Sequence, residues 1–207
     1  MSKKLLLILI LITLLFTILF GKELHFKIKK PYVYNYPYII KKYGLKKAKK
    51  IIYNKWYQLS YISLNDYKLL KKTYIIGKQY DLGFTLSAIL WQESQFGQFL
   101  HNFADPSCGY YHKLLPELCK QSGLKANTWN MSRACDKLMN YDFSTQVAIN
   151  DLLNLKQKYQ LRGYKKGKLW KLMVQNYNGS GFNSKVYLDM IRLNIFYLKQ
   201  IKKSLDD

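Results

Sequence analysis

One carboxyl group in this 207-residue chain stands where a carboxyl group is costly. Leu82, Leu86, Ile89 and Phe96 follow at steps of four, three and seven, which puts them on one face of a helix. Glu93 comes four residues after Ile89, on the same stripe. Burying an ionised carboxylate there is unfavourable, so such surroundings favour the protonated form. A carboxyl that keeps its proton near neutral pH is what a general acid needs. The competing reading is a side chain at a helix end that bends out to solvent or pairs with a lysine.

Two segments far apart share a second pattern. Residues 91–97 read Trp-Gln-Glu-Ser-Gln-Phe-Gly, and residues 175–179 read Gln-Asn-Tyr-Asn-Gly, with Tyr177 lying 84 positions after Glu93. Together they resemble the lytic transglycosylases with a lysozyme-like domain, the soluble murein transglycosylases and their relatives. In that family a catalytic Glu followed by Ser ends an apolar helix, and an Ala-Tyr-Asn-Ala-Gly-type segment comes later. The resemblance covers about residues 75–203. It implies Glu93 as catalytic acid, Tyr177 as a neighbour that helps set its protonation, and Ser94 and Asn178 as holders of the loop or of a substrate acetamide. The family's Gly-Leu-Met-Gln-like turn has its best counterpart in Gly109-Tyr110-Tyr111-His112. Aromatic residues replace the aliphatic pair there, and His112 stands in for Gln. Tyr110 can stack on a sugar ring, and the His112 imidazole can donate a hydrogen bond to a sugar or acetamide oxygen.

The carboxyl inventory bears on mechanism. A two-carboxylate glycosidase holds a second acid about 5–9.5 Å from the first. The chain has only 12 Asp+Glu, and the two nearest Glu93 in sequence, Asp81 and Asp105, have no strong claim. The resemblance implies a route with one acid and no cofactor or metal. Glu93 would protonate the bond between N-acetylmuramic acid and N-acetylglucosamine in peptidoglycan glycan strands, then deprotonate the muramic acid C6 hydroxyl as it closes a 1,6-anhydro ring. The alternatives are a goose-type lysozyme-like hydrolase that uses water, and a non-catalytic peptidoglycan-binding envelope protein that keeps the fold.

The elements that must position these residues are mainly helical. Helices are expected over 45–57, 63–80, 85–94, 127–140, 144–159, 168–176 and 184–203, with a long loop between the third and the fourth. Ser63 is a plausible N-cap with Asp66 three residues on, and Asn178-Gly179-Ser180-Gly181 is a helix stop. No segment alternates with the two-residue period of a strand. The expected architecture is a mainly α, lysozyme-like domain over 63–207, preceded by a small basic helical or extended lead-in over 22–62. The 45–57 helix suits either a membrane surface or packing on the domain.

Residues 5–20 are uncharged and apolar after a start with two lysines, which reads as a signal peptide or signal anchor over 1–21. An exported protein of the periplasm or cell envelope is expected, with inner-membrane association through the N-terminal segment. In an oxidising compartment, Cys108, Cys119 and Cys135 allow one disulfide and one thiol, and the spacing does not choose the pair. Zinc is the weaker reading: there is no CxxC, and His101 and His112 have no finger spacing.

The chain carries 34 Lys+Arg against 12 Asp+Glu, a formal net charge of +22. Only Arg133, Arg162 and Arg192 are arginines, which argues against a dedicated nucleic-acid reader, because Arg makes the bidentate contacts to phosphate and base edges. Lys, Asn, Ile and Tyr share A/T-rich codons, so compositional bias accounts for much of the excess.

Overall fold

The structure, a computed structural model, describes residues 23–102, 104–179 and 181–207. The apolar run at 5–20 lies outside the described residues. Among the described residues no helix is long and apolar enough to cross a membrane.

The fold is mainly α. Strand β1 (Glu23–His25) pairs antiparallel with β2 (Tyr61–Ser63), and between them runs helix α1 (Pro37–Ser60), broken at Gly44, where φ is 76°. Then follow α2 (Leu64–Lys78) and α3 (Gly83–Ser94). Three two-residue strands, β3 (His101–Asn102), β4 (Ser107–Cys108) and β5 (Lys113–Leu114), form an antiparallel sheet in the order β3-β4-β5. Helices α4 (Leu115–Gln121), α5 (Thr128–Leu138), α6 (Tyr141–Leu161), α7 (Lys166–Tyr177), α8 (Gly181–Gln200) and α9 (Lys202–Asp206) complete the chain.

Local chemistry explains most helix starts. Ser63 Oγ accepts from the Asp66 amide at 3.1 Å, which makes it the expected cap of α2. The helix expected from Ser144 begins three residues earlier, because Asn140 Oδ1 takes the Phe143 amide at 2.9 Å and Ser144 is buried within α6. The helix expected from Leu45 is preceded by about two more turns: Pro37 sits in the first turn of α1, where its fixed φ suits a helix start. The expected long loop holds the three-stranded sheet and α4, elements too short to show a period in sequence.

Helix α3 is the centre of the molecule. Leu86, Ala88, Ile89, Leu90 and Trp91 are each fully buried, so the helix is enclosed on all sides rather than striped. It packs on α2 and α8, while α1 packs on α8 from the other side. Ile39, Ala48, Ile52 and Leu59 of α1 belong to the same core as α3. A second, smaller cluster gathers Cys108, Leu115, Leu118 and Leu138. There Cys108 and Cys135 form a disulfide, which ties β4 to α5, and Cys119 is a buried free thiol.

Candidate functional site

The site begins where α3 ends. Gln95, Phe96 and Gly97 take left-handed backbone conformations in succession, at φ 49°, 63° and 87°. Two of these are non-glycine residues, which is an unfavourable geometry that surrounding contacts must hold. Ser94 Oγ supplies one such contact, accepting from the Gly97 amide at 3.0 Å and donating to Leu90 O at 3.3 Å. Gln58 of α1 supplies another, donating to Gln95 Oε1 at 3.1 Å and accepting from Trp91 Nε1 at 3.1 Å. The sharp stop leaves Glu93 in the last turn of α3 and aims Phe99 back toward the sheet.

Opposite stands the β4–β5 turn. Gly109 adopts φ 84°, and a Cβ there would lie 2.7 Å from the Leu138 carbonyl oxygen. His112 also has positive φ, 46°, and its amide donates to Gly109 O at 3.2 Å. Its imidazole bridges the two loops. Nε2 lies 2.8 Å from Phe99 O, and Nδ1 lies 3.5 Å from Glu93 Oε2. A carbonyl only accepts, so Nε2 carries a proton, and Nδ1 faces the carboxyl. Once His112 is protonated, Nδ1 points a charged N–H at the Glu93 carboxylate. Both side chains are nearly enclosed, with exposures of 12% and 13%.

Burial works against charge on His112. Hydrogen bonds to Glu93 and Phe99, with the negative fields of Glu93 and Asp105, outweigh it and hold the imidazole pKa above its ordinary value. In Glu93→Gln, the strongest raising partner is gone and burial remains. The His112 titration, followed by NMR, is expected to move to lower pH than in the native protein. An unchanged titration would show that Glu93 does not stabilise the imidazolium.

Three further groups surround Glu93. Tyr177, at the end of α7, and Tyr187, on α8, both have pKa values well above the ordinary tyrosine range, first from burial and next from the Glu93 carboxylate. Both are therefore neutral O–H donors at any working pH. The Tyr177 hydroxyl donates to Tyr111 O at 3.4 Å. The Tyr187 hydroxyl and Glu93 Oε1 are close enough to feel each other, yet neither completes a hydrogen bond among the described residues. The third group is Lys55 of α1, whose ammonium sits 4.9 Å from the Trp91 ring centre. Burial pulls its pKa down to about 7, opposed by the attraction of Glu93.

Beside this cluster opens a cleft of about 490 Å³, lined by His112, Tyr177, Asn178 and Gly179 together with Asp105, Glu117 and Asp151. Lys113, 7% exposed, lies 3.0 Å from Glu117 and 2.8 Å from Asp151 and neutralises much of that acidic wall. Asp105 accepts a hydrogen bond from Ser107.

Of the residues singled out in sequence, Glu93, His112 and Tyr177 come together, and Asn178 lies on the cleft wall beside them. Ser94 is fully buried with its hydroxyl spent on the helix end, so it holds the loop and does not face the cleft. Tyr110 packs edge-on against Tyr141 and over Gly97, where a Cβ would lie 2.5 Å from its ring; it lines no part of the cleft. The Tyr177 hydroxyl bonds to Tyr111, not to Glu93. Lys55 and Tyr187 escaped sequence reasoning, because neither lies in a motif with Glu93. Their only signal was position on the apolar stripes of their own helices. The metal question also changes form: His101 Nδ1 lies 3.5 and 3.8 Å from the sulfurs of Cys108 and Cys135, but a disulfide offers no thiolate to a cation.

No protein-family model, curated protein or solved structure matches the chain.

Proposed function

We propose that the chain is an exported peptidoglycan lytic transglycosylase that cleaves the β-1,4 bond between N-acetylmuramic acid and N-acetylglucosamine, with Glu93 as its single general acid and base. The observation that carries the reading is the Glu93–His112 pair at 3.5 Å, with His112 lining a cleft of about 490 Å³ together with Tyr177 and Asn178 at the end of α7. The resemblance at residues 91–97 and 175–179 supplies the reaction class.

The proton inventory supports a one-acid route. The Glu93 O–H donates its proton to the glycosidic oxygen as the C1–O bond breaks. The carboxylate left behind is stabilised by the neighbouring His112 and by the neutral hydroxyl of Tyr187. It then takes the proton of the muramic acid C6 hydroxyl while that oxygen bonds to C1. The proton returns to Glu93, no water is consumed, and the product ends in a 1,6-anhydro ring. Asn178 offers an amide to the acetamide group of the substrate.

The hydrolytic alternative needs a second carboxylate free to activate water. Glu117 and Asp151 are held by the Lys113 ammonium, and Asp105 is occupied by the Ser107 hydroxyl, which favours the anhydro route. Incubation of the purified protein with sacculi, followed by mass analysis, separates the readings. Anhydro ends, lighter by one water than reducing ends, are expected. Reducing ends alone would establish a hydrolase, and no release would leave a binding protein.

A further inference from the structure

Charge is distributed very unevenly along the chain. The 42 residues between Glu23 and Asp66 hold ten lysines and no acid, whereas residues 66–207 hold 21 basic and 11 acidic residues. A codon bias toward Lys would enrich the whole chain and would not expel every carboxylate from one segment. Nine of those ten lysines are exposed, Lys55 being the exception. Among the described residues none of the ten joins a salt bridge.

The same segment displays exposed rings. Tyr32 and Tyr34 lie 5.1 Å apart, and Tyr57 packs on Tyr61 at 4.8 Å. Tyr61 meets His25 of β1 at 5.0 Å, and the Lys30 ammonium lies over both Tyr53 and Trp56, at 4.5 and 4.3 Å. The rings thus extend from β1 along α1 to a pocket of about 480 Å³ between Lys30, Tyr32, Tyr34, Lys49 and Tyr53. Tyrosine, with an apolar body and a polar tip, is the residue type that settles at headgroup level in a bilayer, and clustered lysines are drawn to anionic leaflets.

Sequence adjacency selects the occupant. Glu23 follows the uncharged run 5–20 by three residues. With that run in a bilayer, three residues of extended chain keep β1 within about 10 Å of the surface. The Debye length is about 8 Å, a distance similar to that tether, so an anionic leaflet would attract the lysines of this face.

We propose that the face formed by β1, residues 26–36 and α1 docks on a bilayer bearing anionic phospholipid, with the pocket between Lys30 and Lys49 receiving a headgroup phosphodiester. The inference is independent of the catalytic reading, and its test does not measure cleavage. The full chain is reconstituted into vesicles of phosphatidylcholine alone, or with phosphatidylglycerol added, and its amines are acetylated and quantified by mass spectrometry. In phosphatidylglycerol vesicles, labelling of Lys30, Lys46, Lys49 and Lys50 is expected to slow about fivefold. Labelling of Lys120 and Lys125, beside the second hydrophobic cluster, is expected to be unchanged, and high salt is expected to abolish the protection. The double variant Lys30→Gln/Lys49→Gln changes only exposed side chains and is expected to return Lys46 and Lys50 most of the way to the neutral-vesicle rate. Equal labelling in both vesicles would overturn the proposal. So would protection in neutral vesicles by inorganic phosphate, which would make the pocket a free-anion site, or by sacculi, which would make the wall polymer the occupant. Full protection persisting in the double variant would remove the pocket from the docking.

Discussion

Glu93→Gln is expected to lower the release of anhydro-muropeptides from sacculi by about 10²–10⁴-fold, the range in which a positioned general acid and base contributes. The change keeps the size of the side chain and removes its exchangeable proton. Its effect on folding should be small, because among the described residues Glu93 Oε1 completes no hydrogen bond and Oε2 lies no closer than 3.5 Å to its partner His112. A native-like melting curve with turnover lost is therefore the expected pair of measurements, and full turnover in the variant would eliminate Glu93 as the acid. The pH profile carries a second check. The raised imidazole pKa means that the His112 proton, which can stabilise the Glu93 carboxylate, persists to higher pH than a free imidazole would keep it. Activity should fall on the alkaline side as that proton leaves. In His112→Gln that limb should disappear, because no imidazole remains to lose a proton.

Gly109→Ala should have the largest effect on stability. A residue with a Cβ at φ 84° costs about 1–2 kcal/mol from local sterics. The added carbon would also lie 2.7 Å from Leu138 O, 2.8 Å from Leu138 Cβ and 2.9 Å from Ser144 Oγ. Two of those atoms belong to the fully buried last residue of α5 and cannot yield as a surface side chain would. Overpacking of this kind costs about 1–3 kcal/mol, so the total loss is about 2–5 kcal/mol, a large share of a typical domain's 5–15 kcal/mol. Denaturant midpoints measure it. Because His112 amide bonds to Gly109 O, cleavage should also suffer in whatever fraction remains folded. A variant within about 0.5 kcal/mol of the native protein would mean that the turn does not press on α5.

What could be read in the sequence follows from the range of the forces involved. Local chemistry was legible: the Ser63 cap, the apolar approach to Glu93 and the glycine-rich stop after Tyr177 are all set by near neighbours. The pairing of residues 91–97 with 175–179 was legible through resemblance alone. The Glu93–His112 contact depends on two left-handed loops and on a turn pressed against α5, geometry that composition does not encode. Lys55 lies 38 residues before Glu93 and Tyr187 lies 94 after it, and only packing of α1 and α8 around α3 brings them near. The three short strands left no trace, since two residues cannot establish an alternation. The Ser94 hydroxyl, expected to hold the loop or a substrate acetamide, bonds to the Gly97 amide and to Leu90 O at the helix end.

Helix α1 carries a lesson for anyone who would trim the polypeptide. Cutting before Leu64 would remove Ile39, Ile52 and Leu59 from contact with α3 and α8. It would also deprive the buried Asp189 carboxylate of the Tyr38 amide at 2.9 Å, and the Tyr197 hydroxyl of Ile52 O, likewise at 2.9 Å. The shortened product would expose apolar surface and lose the partners that α1 supplies to two polar groups of α8. What looks in the sequence like a detachable leader is thus a structural wall of the chamber that encloses Glu93.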